Sequence, residues 1–226
     1  MIETTTIEGP SISNRDLSRS IEGRGPEILK DIYLENINMV TWQRTLSNSI
    51  KEASAIILKT NPTLKLSQIV SPQETYSIVN EILGSSKVSS MLSKDIEELV
   101  DMFCYLFDLN RVGLRLTALD GAMCPKFHVD RIPCRLITTY HGIATEWLPH
   151  AKADRTKLGH GSQGKPDNQS GLFKTSKAIQ KLNQGEVALL KGEGWRGNQG
   201  AGLIHRSPQL REEKSRLLLT LDFIDE

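Results

Sequence analysis

The sequence predicts an α+β protein in which helices buttress a sheet sandwich or barrel, and two observations carry that reading. Up to about residue 110, apolar residues recur at three- and four-residue steps; from Arg111 onward they alternate or gather in short β-rich runs.

Residues 1–25 are rich in Ser, Thr, Glu, Gly and Arg and poor in large apolar groups, so they are expected to form a flexible tail. A short strand is expected around Ile32, Leu34 and Ile37 to Val40. Leu46, Ile50, Ala53 and Ile57 then follow helical spacing up to a stop near Asn61-Pro62. Ser71-Pro72-Gln73-Glu74 has the capping-box form and opens a second helix through Ile78 and Ile82, with Gly84 as its stop. Ser93 is expected to cap a third helix carrying Ile96, Leu99, Val100, Phe103, Leu106 and Phe107, with Asp95 and Glu97 suiting its positive end. Residues 26–110 therefore make a mainly helical part.

In the second half, Val112, Leu114 and Leu116 alternate, Cys134 to Tyr140 is β-rich, Glu186 to Leu190 follows Gly185, and Arg216 to Phe223 closes the chain as a strand. Ala151 to Ser170 holds hardly any large apolar residue and predicts a long exposed loop, whose Gly161 to Ser170 portion is placed to act as a lid. Residues 111–226 form the β part, and 26–226 are expected to be one domain.

Composition limits the function classes. Lys plus Arg number 28 against 27 for Asp plus Glu, so net charge makes no case for a nucleic-acid or acidic-membrane partner. No apolar run approaches the ~18 residues of a membrane span, and Met1 to Pro10 lacks a basic stretch followed by an apolar one, so the cytoplasm is the expected compartment. Cys104, Cys124 and Cys134 are an odd number in a long chain, which argues against a disulfide framework. The glycines at 192, 194, 197, 200 and 202 are not closed by the Lys-Ser/Thr pair of a phosphate loop.

Chemistry is suggested by His128-x-Asp130 and the distant His205. On a strand, the two-residue period puts His128 and Asp130 on one face, and a histidine on a neighbouring strand completes a facial triad. Two imidazoles and one carboxylate suit divalent iron and leave coordination positions open. The bland alternative makes His128 a satisfied histidine and Asp130 a turn former. Cys124 lies four residues before His128, where a thiolate could join the same metal and would favour zinc; the favoured reading places it too far along the sheet to be a ligand. His141, His150 and His160 are assigned to solvent, Trp147 and Trp195 to core or pocket wall, and Glu146 to an exposed strand position. Arg135 is a candidate partner for Asp130 or Glu146.

The order of these elements fits a double-stranded β-helix, jelly-roll-like, with the N-terminal helices packed on it. With Arg216 opening the strand after His205, residues 111–226 resemble the iron(II)- and 2-oxoglutarate-dependent oxygenases. That resemblance implies Fe(II) held by His128, Asp130 and His205, with Arg216 anchoring the far carboxylate of 2-oxoglutarate. It departs from the family at Leu218, where many members carry a small hydroxyl residue. Arg211 and Arg206 are therefore alternative anchors, with Tyr140 and Thr220 as candidate hydroxyl donors. More specifically, CPKFHVDRIPCRLITTYHGIATEWLP (Cys124 to Pro149), GEVALLKGEGW, GLIHRSP and RLLLTLDF resemble the bacterial domain-of-unknown-function family 1826. The expected partner is a small-molecule or protein substrate. The alternative is a non-redox, cupin-like or zinc-binding protein that buffers or senses metal, and a metal-free interaction module is the third reading.

Overall fold

A computed structural model of the protein describes residues 19–210 and 215–224. The first strand, β1 (Arg19–Gly23), runs parallel to β2 (Ile37–Trp42), and a 3-10 helix, Pro26–Tyr33, makes the crossover. Residues 19–25 are thus not the tail that composition predicts. Their order comes from backbone pairing with β2 rather than from burial, and hydropathy does not record that. Residues 1–18 lie outside the described residues. Ile32 and Leu34 belong to the crossover, where Ile32 is buried, and the expected strand begins at Ile37.

Helix α1 (Asn48–Thr60) starts at Ser47, whose hydroxyl accepts from the Ile50 N–H, and strand β3 (Lys65–Val70) follows. Helix α2 (Pro72–Ile82) opens as expected: the Glu74 carboxylate accepts from the Ser71 N–H at 2.9 Å. Helix α3 (Lys87–Phe107) begins earlier than Ser93, at a cap formed by Ser86. Ser93 is inside the helix and buried, its hydroxyl donating back to the Ser89 carbonyl, so its polarity is satisfied without ending the helix. Asp95 likewise does not serve the helix end. It is buried, receives both Arg44 guanidinium nitrogens at 2.8 and 2.9 Å, and accepts from the Tyr140 hydroxyl.

The remaining strands are β4 (Val112–Leu119), β5 (Cys134–His141), β6 (Glu146–Leu148), β7 (Gln180–Lys181), β8 (Val187–Lys191), β9 (Ile204–Arg206) and β10 (Arg216–Asp222). They sort into a seven-stranded sheet, β1-β2-β8-β5-β10-β4-β3, and a three-stranded sheet, β7-β6-β9, extended by an isolated bridge between His128 and His205. After β4 the chain visits the small sheet at His128, the large at β5, the small at β6 and β7, the large at β8, the small at β9 and the large at β10. This winding between two sheets is a double-stranded β-helix. The part expected to be mainly helical adds β1, β2 and β3 to the large sheet as well as packing helices on it.

Strand β10 shows how sequence sets the two faces. Leu217, Leu219 and Leu221 join the core with Leu92, Ile96, Leu99 and Phe103 of α3, while Arg216, Leu218 and Thr220 line a cavity on the other side. Both faces are covered, so every residue of β10 is buried. Each fully buried Leu or Phe contributes about 1.5–3 kcal/mol of transfer free energy, which makes the helix–sheet interface the main hydrophobic core. Among the described residues, no helix is long and apolar enough to cross a membrane.

Candidate metal centre

The bridge between His128 and His205 is a backbone pair in which each N–H donates to the other's carbonyl at 3.0 Å. This holds the two imidazoles side by side, with ring centroids 4.6 Å apart. His128 Nδ1 lies 3.0 Å from the Lys126 carbonyl, and His205 Nδ1 lies 3.2 Å from the Leu203 carbonyl. A carbonyl can only accept, so each Nδ1 carries the proton and each Nε2 of a neutral ring presents a lone pair. Asp130 meets both: its carboxylate oxygens lie 3.8 Å from His128 Nε2 and 3.5 Å from His205 Nε2. Candidate donor atoms of the three residues all fall within 4.8 Å of one another. Metal bonds of about 2.1 Å place adjacent donors about 3 Å apart, so a small contraction would seat one ion. Burial pushes the His205 imidazole down to about 4, against the pull of Asp130 and with a further push from His128, so this ring is neutral at neutral pH.

Asp130 is not on a strand as expected; it follows the bridge, in a segment that packs on the end of β8. The Glu193 N–H donates to the Asp130 carbonyl, and the Gly192 N–H to the Pro133 carbonyl, both at 2.8 Å. Arg135 fixes the side chain: Nη1 donates to Asp130 Oδ2 at 2.9 Å, while Nε and Nη2 grip Asp222 at 2.7 and 3.0 Å. Burial opposes the Arg135 charge, but the hydrogen bond to Asp222 and the charges of Asp130 and Asp222 outweigh it and raise the pKa.

Beside the triad lies a cavity of about 110 Å³, lined among others by His128, Arg135, Ile137, Thr145, His205 and Arg216. Arg216 is 1% exposed. Its Nη1 donates to the Ser207 hydroxyl at 3.0 Å, and Nη2 to the Thr139 and Thr145 hydroxyls at 3.1 and 2.8 Å. Its Nε is buried with no hydrogen-bond partner, and no carboxylate pairs with it among the described residues. Desolvation pulls its pKa down to about 10, which leaves it a cation at neutral pH.

A family model described as protein of unknown function (DUF1826) matches residues 23–222. The chain belongs to this family. No curated protein matches the DUF1826 chain. Solved structures similar to it include a prolyl-4-hydroxylase from Pseudomonas putida, at 10% identity, covering 88% of this chain and 98% of that one, with a TM-score of 0.48. The dioxygenase for auxin oxidation in rice is similar at 10% identity, with coverage of 92% and 83% and a TM-score of 0.49. HygX from Streptomyces hygroscopicus, with iron bound, is similar at 11% identity, with coverage of 87% and 85% and a TM-score of 0.46.

Several expectations for the DUF1826 chain are corrected by position. Tyr140 points away from the cavity: it shares a face of β5 with Cys134 and Leu136, lies in the helix-side core and donates to Asp95. The hydroxyl partners of Arg216 are instead Ser207, Thr139 and Thr145, and Leu218 and Thr220 line the cavity. Arg206 also lines the cavity, but its guanidinium is held by Glu146 and Asp167 over the Phe127 ring, so it is committed elsewhere. Arg211 lies outside the described residues. Glu146 is buried rather than exposed, because Arg206 and Lys181 pair with it. Trp195 packs on Tyr33 and Phe107 against the main core, so of its two expected places it takes the core. His160 is exposed as expected, whereas His141 and His150 are half-buried. Cys124 is exposed and lines the cavity without joining the triad cluster. No residue of the 151–170 loop lines this cavity, and short 3-10 turns at 150–152, 155–157 and 159–162 order it, so the lid reading finds no support. Arg135 pairs with Asp130, one of its two expected partners, whereas Thr139 and Thr145 were missed as site residues. Strand parity places Arg135, Ile137 and Thr139 on one face, a signal that was present in the sequence.

Proposed function

We propose that this protein is a mononuclear iron(II)- and 2-oxoglutarate-dependent oxygenase. The observation that carries the reading is Arg216, a buried cation with no carboxylate partner among the described residues, in the same cavity as the His128 and His205 donors. A buried charge without a partner costs several kcal/mol, and an anionic ligand removes that cost. The donor set fits the metal: two neutral imidazoles and one carboxylate suit divalent iron and leave positions for a bidentate ligand. When bound, iron and 2-oxoglutarate together supply the means of using dioxygen to oxidise a C–H bond.

The protein's own residues bind and orient in this scheme. His128, Asp130 and His205 would hold the ion, and Arg135 keeps one Asp130 oxygen occupied so that the other is free for it. Arg216 would take the distal carboxylate through a guanidinium whose Nη1 and Nη2 are oriented by Ser207, Thr139 and Thr145. Ile137 and Leu218 give the cavity apolar wall that keeps water out, and Met123, 55% exposed, sits at its rim where a substrate would approach.

The test is metal stoichiometry in wild type and His128→Ala, followed by dioxygen-dependent conversion of 2-oxoglutarate to succinate in the iron-loaded protein. One ion per wild-type chain, its loss in the variant, and succinate formation are expected. Metal uptake with no succinate across a broad substrate panel would move the assignment to a non-redox metal-binding protein; no uptake would end both.

A further inference from the structure

The long loop before β7 carries a partly buried acid that the oxygenase reading does not use. Asp167 has a side chain 10% exposed, and its Oδ2 accepts two hydrogen bonds: the Phe127 N–H at 3.0 Å and Arg206 Nη1 at 2.8 Å. Phe127 immediately precedes His128, and Arg206 immediately follows His205. One carboxylate oxygen therefore joins the two segments that present the histidines, beside their own backbone bridge. Two features make the grip firm. The Arg206 guanidinium is stacked over the Phe127 ring at 4.2 Å and held on its other side by Glu146 at 2.8 Å, so it cannot swing away with Asp167. Leu172 and Phe173, at the loop's end, pack with Phe127, Leu148 and Ile204, so the loop is seated behind the ligand segments. At the loop's start, Arg155 donates to the Gly202 carbonyl and to Glu193, three residues short of His205 on one side and beside Gly192 on the other. The acid itself is set by a turn in which the Gln169 and Ser170 N–H groups both donate to the Pro166 carbonyl.

We propose that Asp167 is a positioning residue for the metal site: from a loop outside the cavity, it fixes the spacing of His128 and His205. The proposal rests on the metal reading above. A charge-assisted bond at each flank resists separation of the two imidazoles, so the loop acts as a brace on the ligands rather than as a cover over the substrate.

The experiment titrates cobalt(II), a redox-stable stand-in for iron(II), into metal-free full-length protein and reads the dissociation constant together with the cobalt d–d spectrum and thermal unfolding. Asp167→Ala is expected to weaken cobalt binding by roughly 10- to 100-fold, the range for outer partners of metal ligands, and to alter the d–d spectrum. Asp167→Asn keeps an acceptor oxygen without the charge and should lose less. Asp154→Ala, which removes a cap confined to the same loop, should bind cobalt as wild type does. If Asp167→Ala does not fold, Asp167→Asn decides. A lowered melting temperature with unchanged cobalt affinity and spectrum would make Asp167 a merely structural residue and overturn the proposal. Wild-type protein that takes up no cobalt would instead overturn the metal reading itself, a result distinguishable from failure of the brace alone.

Discussion

Two arginines of the cavity carry their charges under opposite conditions, and this separates their roles. Arg135 is enclosed by Asp130 and Asp222, whereas among the described residues Arg216 meets only hydroxyl groups. Replacing Arg216 by Met removes an uncompensated buried cation, so thermal unfolding of the ligand-free protein should shift upward by a few degrees. The same change deletes the proposed carboxylate anchor. The concentration of 2-oxoglutarate needed for half-maximal succinate formation should then rise by about 100-fold, with metal stoichiometry unchanged. A variant that is both less stable and unaltered toward 2-oxoglutarate would contradict this account. Arg135→Met has the reverse signature: it strands Asp130 in a partly buried site and leaves Asp222 with Arg115 as its remaining cation among the described residues, so it should lower stability and weaken metal binding by roughly 10- to 100-fold. Isothermal titration with cobalt(II), beside denaturant unfolding, reads both quantities. The sequence held part of this distinction. Parity along β5 places Arg135 on the cavity face, but that Asp222, 87 residues on, would engage it depends on β10 pairing with β5, which no local pattern encodes.

At the scale of elements, the end of β8 decides where Asp130 sits. A Cβ on Gly192 would lie 2.1 Å from the Ile132 carbonyl oxygen and 2.8 Å from that of Asp130, so only glycine permits this approach of two backbones. Gly192→Ala must push the Asp130–Pro133 segment off the strand. It should cost about 1–3 kcal/mol of stability and weaken metal binding, whereas Gly197→Ala at an open turn, also strained by its positive φ, should spare the metal. Denaturant unfolding and cobalt titration of the two variants check this. The glycines of this stretch were visible in the sequence as a cluster, though not which of them faces the metal segment. Elements with a strong internal period were legible: α1, α2, most of α3, and the strands β4, β5, β8 and β10. Those without one were not. β1 is largely exposed and paired on β2, β3 is a mostly exposed strand resting on β4, and His128 belongs to a single bridge rather than to a strand. Their order derives from partners distant in the chain, and the triad's convergence was therefore legible only as a motif placed among strands.

Across the whole molecule, helices cover the outer face of the large sheet, and the inner side encloses a histidine that is largely shielded from water. This couples the site to global stability. His205 is 5% exposed, and burial pushes its pKa down to about 4, against about 6.5 in the unfolded chain. Between those values the unfolded state binds a proton that the folded state refuses, so stability falls as pH drops from about 6.5 to about 4 and is independent of this group above that window. Asp130 already opposes the effect by favouring the charged ring, and the net shift puts the expected loss at about 2 kcal/mol by pH 5. Metal-free wild type and His205→Gln should therefore be unfolded by urea at pH 7.5 and pH 5. Other groups titrate in both proteins and cancel in the comparison, so wild type should lose more stability than the variant. Equal losses would mean that His205 is protonated in the folded state and that Asp130, not burial, governs it. Metal loading should steepen the wild-type dependence, because protons then have to displace an ion held by the same Nε2, and the variant should show no such change.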